Sequence, residues 1–216
     1  YIDLYQPCRI DLGIPVEETI GAISELVKEG YVRHIGLSQV DAATIEKAQS
    51  VHKIEAVEME YSLFNRSIEK DIMPIARKLD IGIVAFGTIA HGLLNGAWTK
   101  ERLERGEFPT HMASTLFSKE NIGKNIELVE NFKQIADEKQ VTISQLAHAW
   151  MLSKGEDIIP LIGTSKVKHF MDSVAAKNLL LSKDDIQRIE AAIPQEKIAG
   201  ESFRKMQFRN GVVLQG

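Results

Sequence analysis

Gly163, Thr164, Ser165 and Lys166 are the residues of this sequence whose types and order carry the plainest chemistry. They follow an apolar run at 158–162 and precede an amphipathic stretch, so they read as a strand-to-helix turn. The first turn of a helix has N–H groups without intrahelical acceptors and a partial positive charge, which suits a phosphate. Gly163 permits close backbone approach, two hydroxyls can donate, and Lys166 and Lys168 add positive charge. An ordinary capped helix with surface lysines would use the same residues. Phe86, ending another apolar run and followed by Gly87, could present its ring to a flat ligand or simply fill the core. Glu58 and Glu60 share one face of a strand, with Met59 on the other. Paired carboxylates can do acid–base or glycosidase chemistry, but two glutamates in one strand do not specify it. Cys8, after Pro7, is a potential nucleophile without a surrounding motif. The six histidines show no metal-ligand spacing, and no metal is expected.

The elements that must position these groups alternate along the chain. Strands are expected at 1–6, 32–37, 56–63, 82–86 and 158–162. Helices are expected at 16–28, from Asp41 as a cap to about 51, and at 67–79, 119–138, 143–153, 166–176 and 183–192. In the helix at 16–28, Ile20, Ile23, Leu26 and Val27 fall on one face, with Pro15 before it and Gly30 after it. Between about 95 and 118 the periodicity disappears, and a mobile loop is expected there. From 194 to 216 the chain reads as an irregular tail. Strand followed by helix, repeated every 25–30 residues or so, is the rhythm of right-handed βαβ units. A doubly wound sheet and a (β/α)8 barrel both fit, and in either the active site lies at the C-terminal ends of the strands. The absence of a G-x-G-x-x-G fingerprint at the first strand–helix junction weakens the doubly wound reading. Five units cannot close an eight-stranded barrel, so the barrel reading requires further units upstream. The chain opens within a strand-like run and without an initiator Met, which fits that requirement.

Composition narrows the class of partner. The chain has 216 residues and a net charge of -4 with acids and bases intermixed, so neither nucleic acid nor an anionic membrane is expected as the main partner. One cysteine allows no internal disulfide and points to a reducing, cytoplasmic compartment. No apolar run approaches the length needed to span a bilayer, and no signal-peptide pattern opens the chain.

The segments YIDLYQPCRID (1–11), KEGYVRHIGLSQ (28–39), EYSLFNR (60–66) and IIPLIGTSK (158–166) resemble the aldo-keto reductases. The likeness is closest to the branch related to potassium-channel β-subunits and bacterial reductases, and it runs in order through nearly the whole chain. It implies a (β/α)8 barrel domain over 1–216, of which this chain supplies strands four to eight and lacks the N-terminal βα units. It also implies NADPH as cofactor and a small aldehyde or ketone as substrate. Hydride would pass to the carbonyl carbon while a tyrosine, tuned by a lysine and an aspartate, protonates the oxygen.

Carried over residue by residue, the resemblance assigns the nicotinamide end to Ser38, Gln39 (where asparagine is usual), Glu58 (where glutamine is usual) and Phe86. Gly87, Ile89, Ala90 and Gly92 follow the pyrophosphate loop, with Gly-Thr-Ile in place of Ser-Pro-Leu. Gly163, Ser165, Lys166 and His169 match contacts around the adenosine phosphate, and Asp172 and Ser173 stand where Glu and Asn hold the adenine. Cys8 occupies the place of the histidine that orients the carbonyl. The family's catalytic aspartate, tyrosine and lysine have no counterpart among these residues. Three readings therefore stand side by side: an NADPH-dependent reductase, a non-catalytic NADPH-binding sensor or subunit, and an inactive truncated product. An unpaired first strand also leads to an expectation of self-association.

Overall fold

Helix capping explains why the elements begin and end where they do. Val16–Lys28 (α1) carries Glu17 and Glu18 in its first turn and Lys28 in its last, complementing the helix dipole. It ends where Gly30 takes φ 80° and Tyr31 N–H donates to Leu26 O at 2.9 Å, a Schellman closure that turns the chain into the next strand. Asp41 accepts from Thr44 N–H at 2.8 Å and starts Ala42–Val51 (α2).

The structure is a computed structural model, which describes residues 1–11, 13–109 and 114–202 and the backbone of two strands at 207–209 and 212–214. Strands Ile2–Tyr5 (β1), Val32–Ser38 (β2), Ile54–Glu60 (β3), Gly82–Phe86 (β4) and Ile158–Pro160 (β5) pair in sequence order, and every pairing is parallel. Helices α1, α2 and Ile72–Lys78 (α3) connect the first four strands in turn. Lys100–Glu104 (α4), Ile122–Glu138 (α5) and Ile143–Leu152 (α6) lie between β4 and β5, and Val167–Ala175 (α7) and Lys183–Ala192 (α8) follow β5. Among the described residues no helix is long and apolar enough to cross a membrane.

The two faces of the sheet differ. Ile35, Leu37, Val57, Ile83 and Ala85 are fully buried, forming with Ile20, Ile45 and Ile72 the core between sheet and helices. The opposite face carries Leu4, 38% exposed, and Ile159, 56% exposed, with Glu58 and Val84 half-buried between them. Burial on the helix side with an open inner face is the arrangement of an incomplete (β/α)8 barrel, seen from five of its strands.

Three segments differ from what the sequence pattern suggests. The expected helix at 67–79 is a 3-10 turn, Ser67–Glu69, followed by α3. Pro74 sits at the third position of α3, where its missing N–H costs no intrahelical bond; a helix continuous from 67 would need that N–H. The pattern-free stretch from 95 holds α4, capped by Thr99, and a 3-10 turn at Thr115–Phe117. The tail carries a 3-10 turn at Gln195–Lys197 and an antiparallel hairpin of Gln207–Arg209 (β6) with Val212–Leu214 (β7), so it is not irregular throughout.

A buried polar network ties the end of β3 to α6 and α8. Tyr61 and Trp150 are fully buried with ring centroids 5.3 Å apart. Tyr61 donates to Glu69 at 2.6 Å, Arg66 donates to both Glu69 oxygens at 2.9 and 2.7 Å, and Glu190 receives Trp150 Nε1–H at 3.2 Å. Glu190 also pairs with Arg66 at 3.0 Å and with Lys154. Burial pushes the Tyr61 phenol well above its usual range, helped by Glu69. Burial acts to raise the Glu69 carboxyl too, but bonds from Arg66 and Tyr61 reverse this and hold it below the ordinary value. Glu190→Ala removes one of the two carboxylates that Arg66 and Lys154 share with Glu69 and leaves the indole N–H without its acceptor, and it is expected to lower stability by about 2–3 kcal/mol in urea unfolding. A loss under about 0.5 kcal/mol, the level of an ordinary surface change, would mean that water replaces the carboxylate.

Candidate functional site

Because all five strands run the same way, their C-terminal ends meet at one rim. Ser38 stands level with Glu58, Glu60 with Phe86, and Leu161 N–H donates to Ala85 O at 2.8 Å. The turn at 163–166 therefore lies at the same end of the molecule as Ser38 and Phe86.

Between the turn after β4 and the turn after β5, above α6 and α7, lies a cleft of about 750 Å³. One wall presents Gly87, Ile89 and Gly92; the other presents Gly163, Ser165, His169, Asp172 and Ser173. The first wall is a left-handed turn, with φ of 66° at Gly87, 49° at Ala90, 53° at His91 and 106° at Gly92. For the two residues with side chains this conformation costs about 1–2 kcal/mol each. At Gly87 a Cβ would also approach Glu60 Cγ to 3.1 Å. Glu60, 5% exposed, braces this wall by receiving Asn65 Nδ2–H at 2.8 Å and pairing with His91 Nε2 at 3.1 Å. In the second wall nothing lies within 4 Å of where a Gly163 Cβ would be, so a ligand can approach the backbone. Thr164 Oγ1 accepts from Lys166 N–H at 3.2 Å and organises the start of α7. Lys166 itself is exposed and Ala90 is fully buried; neither lines the cleft.

The floor contains groups that residue spacing does not reveal. Thr88 Oγ1 lies 3.0 Å from His148 Nε2 and 3.4 Å from Leu161 O. Thr142 caps α6 and donates to Asp172 at 3.0 Å. His148 is 3% exposed, and its Nδ1 is buried with no partner. Burial pushes this imidazole below its usual range, with Asp172 acting weakly the other way. The available signal in the sequence was a histidine on an apolar helix face, among Leu146, Ala147, Ala149 and Trp150.

The residues assigned to the other end of the ligand sit on the rim but do not line this cleft. Ser38 is buried at the end of β2. Glu58 Oε2 accepts from Gln6 Nε2 at 2.8 Å. That bond spans β2 above Gly36, where a Cβ would come within 2.6 Å of the Gln6 side chain. Phe86 ends β4 half-buried. Gln39, at φ 51°, faces a different cavity of about 1030 Å³, shared with Met59, Phe64, Ile198 and Ser202. Its buried Nε2 has no partner. Cys8 is free and exposed on a bend beyond β1, away from the cleft lining.

Comparisons with known proteins bear on this arrangement. The model of the aldo/keto reductase family matches residues 1–194. The chain is 39% identical over 206 residues to a protein named probable aldo-keto reductase 1 from Glycine max, covering 94% of this chain and 58% of that relative. Among solved structures it resembles a glycerol dehydrogenase from Gluconobacter oxydans, with a TM-score of 0.79, 23% identity, and coverage of 88% of this chain and 58% of that one. It also resembles a thermostable aldo-keto reductase solved with the inhibitor epalrestat, with a TM-score of 0.69, 24% identity, and coverage of 89% and 60%. The two structural likenesses concern the fold, and the chain spans a little under two thirds of the length of each relative.

The buried imidazole has a measurable signature. An unfolded histidine takes up a proton as pH falls through its ordinary value of 6.5, whereas buried His148 resists doing so. The unfolded state then holds more protons, so stability falls with pH below that point. His148→Gln is expected to make the fall between pH 6.5 and 5.5 shallower in urea titrations. An unchanged slope would show that the imidazole protonates as easily in the fold as outside it.

Proposed function

The chain belongs to the aldo/keto reductase family, and from that premise we propose that it binds NADPH across its rim and serves the reduction of aldehydes or ketones to alcohols. The observation that carries this reading is the convergence of the turns after β4 and β5 on one cleft. That cleft has an open glycine, hydroxyls and a helix N-terminus on one side and a left-handed turn on the other.

The residues fit a dinucleotide. The turn at 163–166, with Ser165, His169 and the first-turn N–H groups of α7, suits phosphate oxygens. Asp172 and Ser173 stand further along α7, where an adenine would be received. Ser38 and Phe86 end β2 and β4 on the same rim, and in this reading the nicotinamide end of the ligand lies against them. Glu58, as a carboxylate, can only accept, and so would take an N–H of the carboxamide. When bound, the reduced nicotinamide supplies a hydride to the carbonyl carbon.

Proton delivery to the carbonyl oxygen is a separate requirement. Cys8 stands where the family's histidine is expected; a thiol is a weak donor, and this one is exposed. No residue of 1–216 matches the family's tyrosine, lysine or aspartate. The alternative is a sensor or subunit that binds the cofactor without turnover, and the thiol in the histidine's place is the feature that supports it. The reading also puts the chain in the cytoplasm, given its single free thiol.

The test is titration of NADPH with the chain, following nicotinamide fluorescence, alongside NADPH consumption in the presence of simple aldehydes. Saturable fluorescence change is expected. Ser165→Asp, which sets a like charge against phosphate, is expected to weaken binding at least ~10-fold. No fluorescence change at millimolar NADPH would overturn the proposal. Steady consumption by this chain would overturn the non-catalytic reading.

A further inference from the structure

His148 stands at the junction of three elements: α6, which carries it; the turn after β4, which supplies Thr88; and the turn after β5, which supplies the Leu161 carbonyl. A carbonyl oxygen can only accept. One arrangement serves both contacts: the Thr88 hydroxyl proton goes to Leu161 O, and Thr88 Oγ1 accepts the Nε2–H of His148. In that tautomer Nδ1 is a bare acceptor, and it is buried without a partner. Leaving such a group unpaired works against the fold, and a leucine would occupy an apolar helix face without that cost. The imidazole is therefore not explained by packing alone.

The cross-link has a mechanical consequence for the cleft. The last backbone bond between β4 and β5 is Leu161 N–H to Ala85 O, at 2.8 Å, after which the two turns separate to form the walls. The Thr88 hydroxyl bridges them just beyond that point. The wall it anchors passes through left-handed backbone at Gly87, Ala90, His91 and Gly92, a shape that other contacts must hold. Hydrogen bonds to phosphate oxygens weaken over a few tenths of an ångström, so wall separation bears directly on affinity.

We propose that His148 is a positioning residue of the cleft, which through Thr88 and the Leu161 carbonyl sets the separation of the two walls that grip the diphosphate of a dinucleotide. This rests on the dinucleotide reading of the cleft but assigns His148 no contact with the ligand. Burial supports it by disfavouring the charged ring, with Asp172 on α7 acting against that shift.

The probe is ADP-ribose, which carries the adenosine and diphosphate but no nicotinamide, measured by calorimetry beside NADPH. His148→Leu and Thr88→Val are each expected to weaken both ligands ~5–10-fold, the scale of one lost hydrogen bond. The double variant should lose no more than ~2-fold beyond either single one, because both remove the same link. His148→Gln, whose amide N–H can take the place of Nε2–H, should recover affinity to within ~3-fold of the parent. Melting temperature should not follow this order, since leucine fills the same apolar space; a merely structural histidine would make affinity and melting fall together. Should His148→Leu fail to fold, Thr88→Val and His148→Gln carry the comparison. Unchanged ADP-ribose affinity in Thr88→Val, additive losses in the double variant, or failure of folded His148→Gln to recover affinity each overturn the positioning role. A parent chain that binds neither ligand instead overturns the dinucleotide reading, and this proposal with it.

Discussion

Parallel hydrogen bonding between neighbouring strands is the constraint on which the rest of this molecule depends. Two parallel strands cannot be joined by a tight hairpin, so each pair needs a crossover long enough to return the chain to the starting end. Here the first crossovers are α1, α2 and α3, and the last is the longer run through α4, α5 and α6. The crossovers cover one face of the sheet and bury Ile35, Leu37, Val57, Ile83 and Ala85. They also bring every strand's C-terminal end to the same rim, which places Ser38, Glu60, Phe86 and Leu161 side by side. The site is a product of direction before it is a product of particular side chains.

Polar groups gather where that rim meets the interior, and they are arranged as braces. Glu58 and Gln6 reach each other across Gly36 because that position on β2 has no side chain. Glu60 holds Asn65 and His91 from beneath the left-handed turn. Thr88 joins His148 to the opposite wall. The Glu60–His91 and Thr88–His148 braces link segments far apart in sequence, so the walls of the cleft are held by side chains where the backbone ladder has ended. The network of Tyr61, Arg66, Glu69, Lys154 and Glu190 does the corresponding work between the end of β3 and the outer helices.

Much of the fold was legible in local patterns. The bounds of α1, β4 and α8 follow directly from helical or strand periodicity and its capping residues, because these elements bury one regular face. The turn at 163–166 was legible for the same reason: a strand, a glycine and a helix start are local signals. The family motifs added the architecture and the order of the barrel's strands, and the family match over 1–194 agrees with them. The split of 67–79 shows where periodicity misleads, since the apolar spacing of Ile68, Ile72 and Ile75 continues across the point where a new helix, with Pro74 in its first turn, begins at Ile72.

Local chemistry, as the order of residue types along the chain, determined on its own where most strands and helices lie and that a glycine-led turn joins β5 to α7. Those outcomes depend on neighbours a few residues apart, whose influence survives in any context. Tertiary structure alone decided which turns face each other. It turned Gln39 towards a separate cavity, left Cys8 outside the cleft, and drew His148, Thr142 and His91 into its floor and walls. Thr88 and His148 are sixty positions apart and share no local pattern. Only the packing of α6 beneath two strand ends brings an imidazole within reach of that hydroxyl.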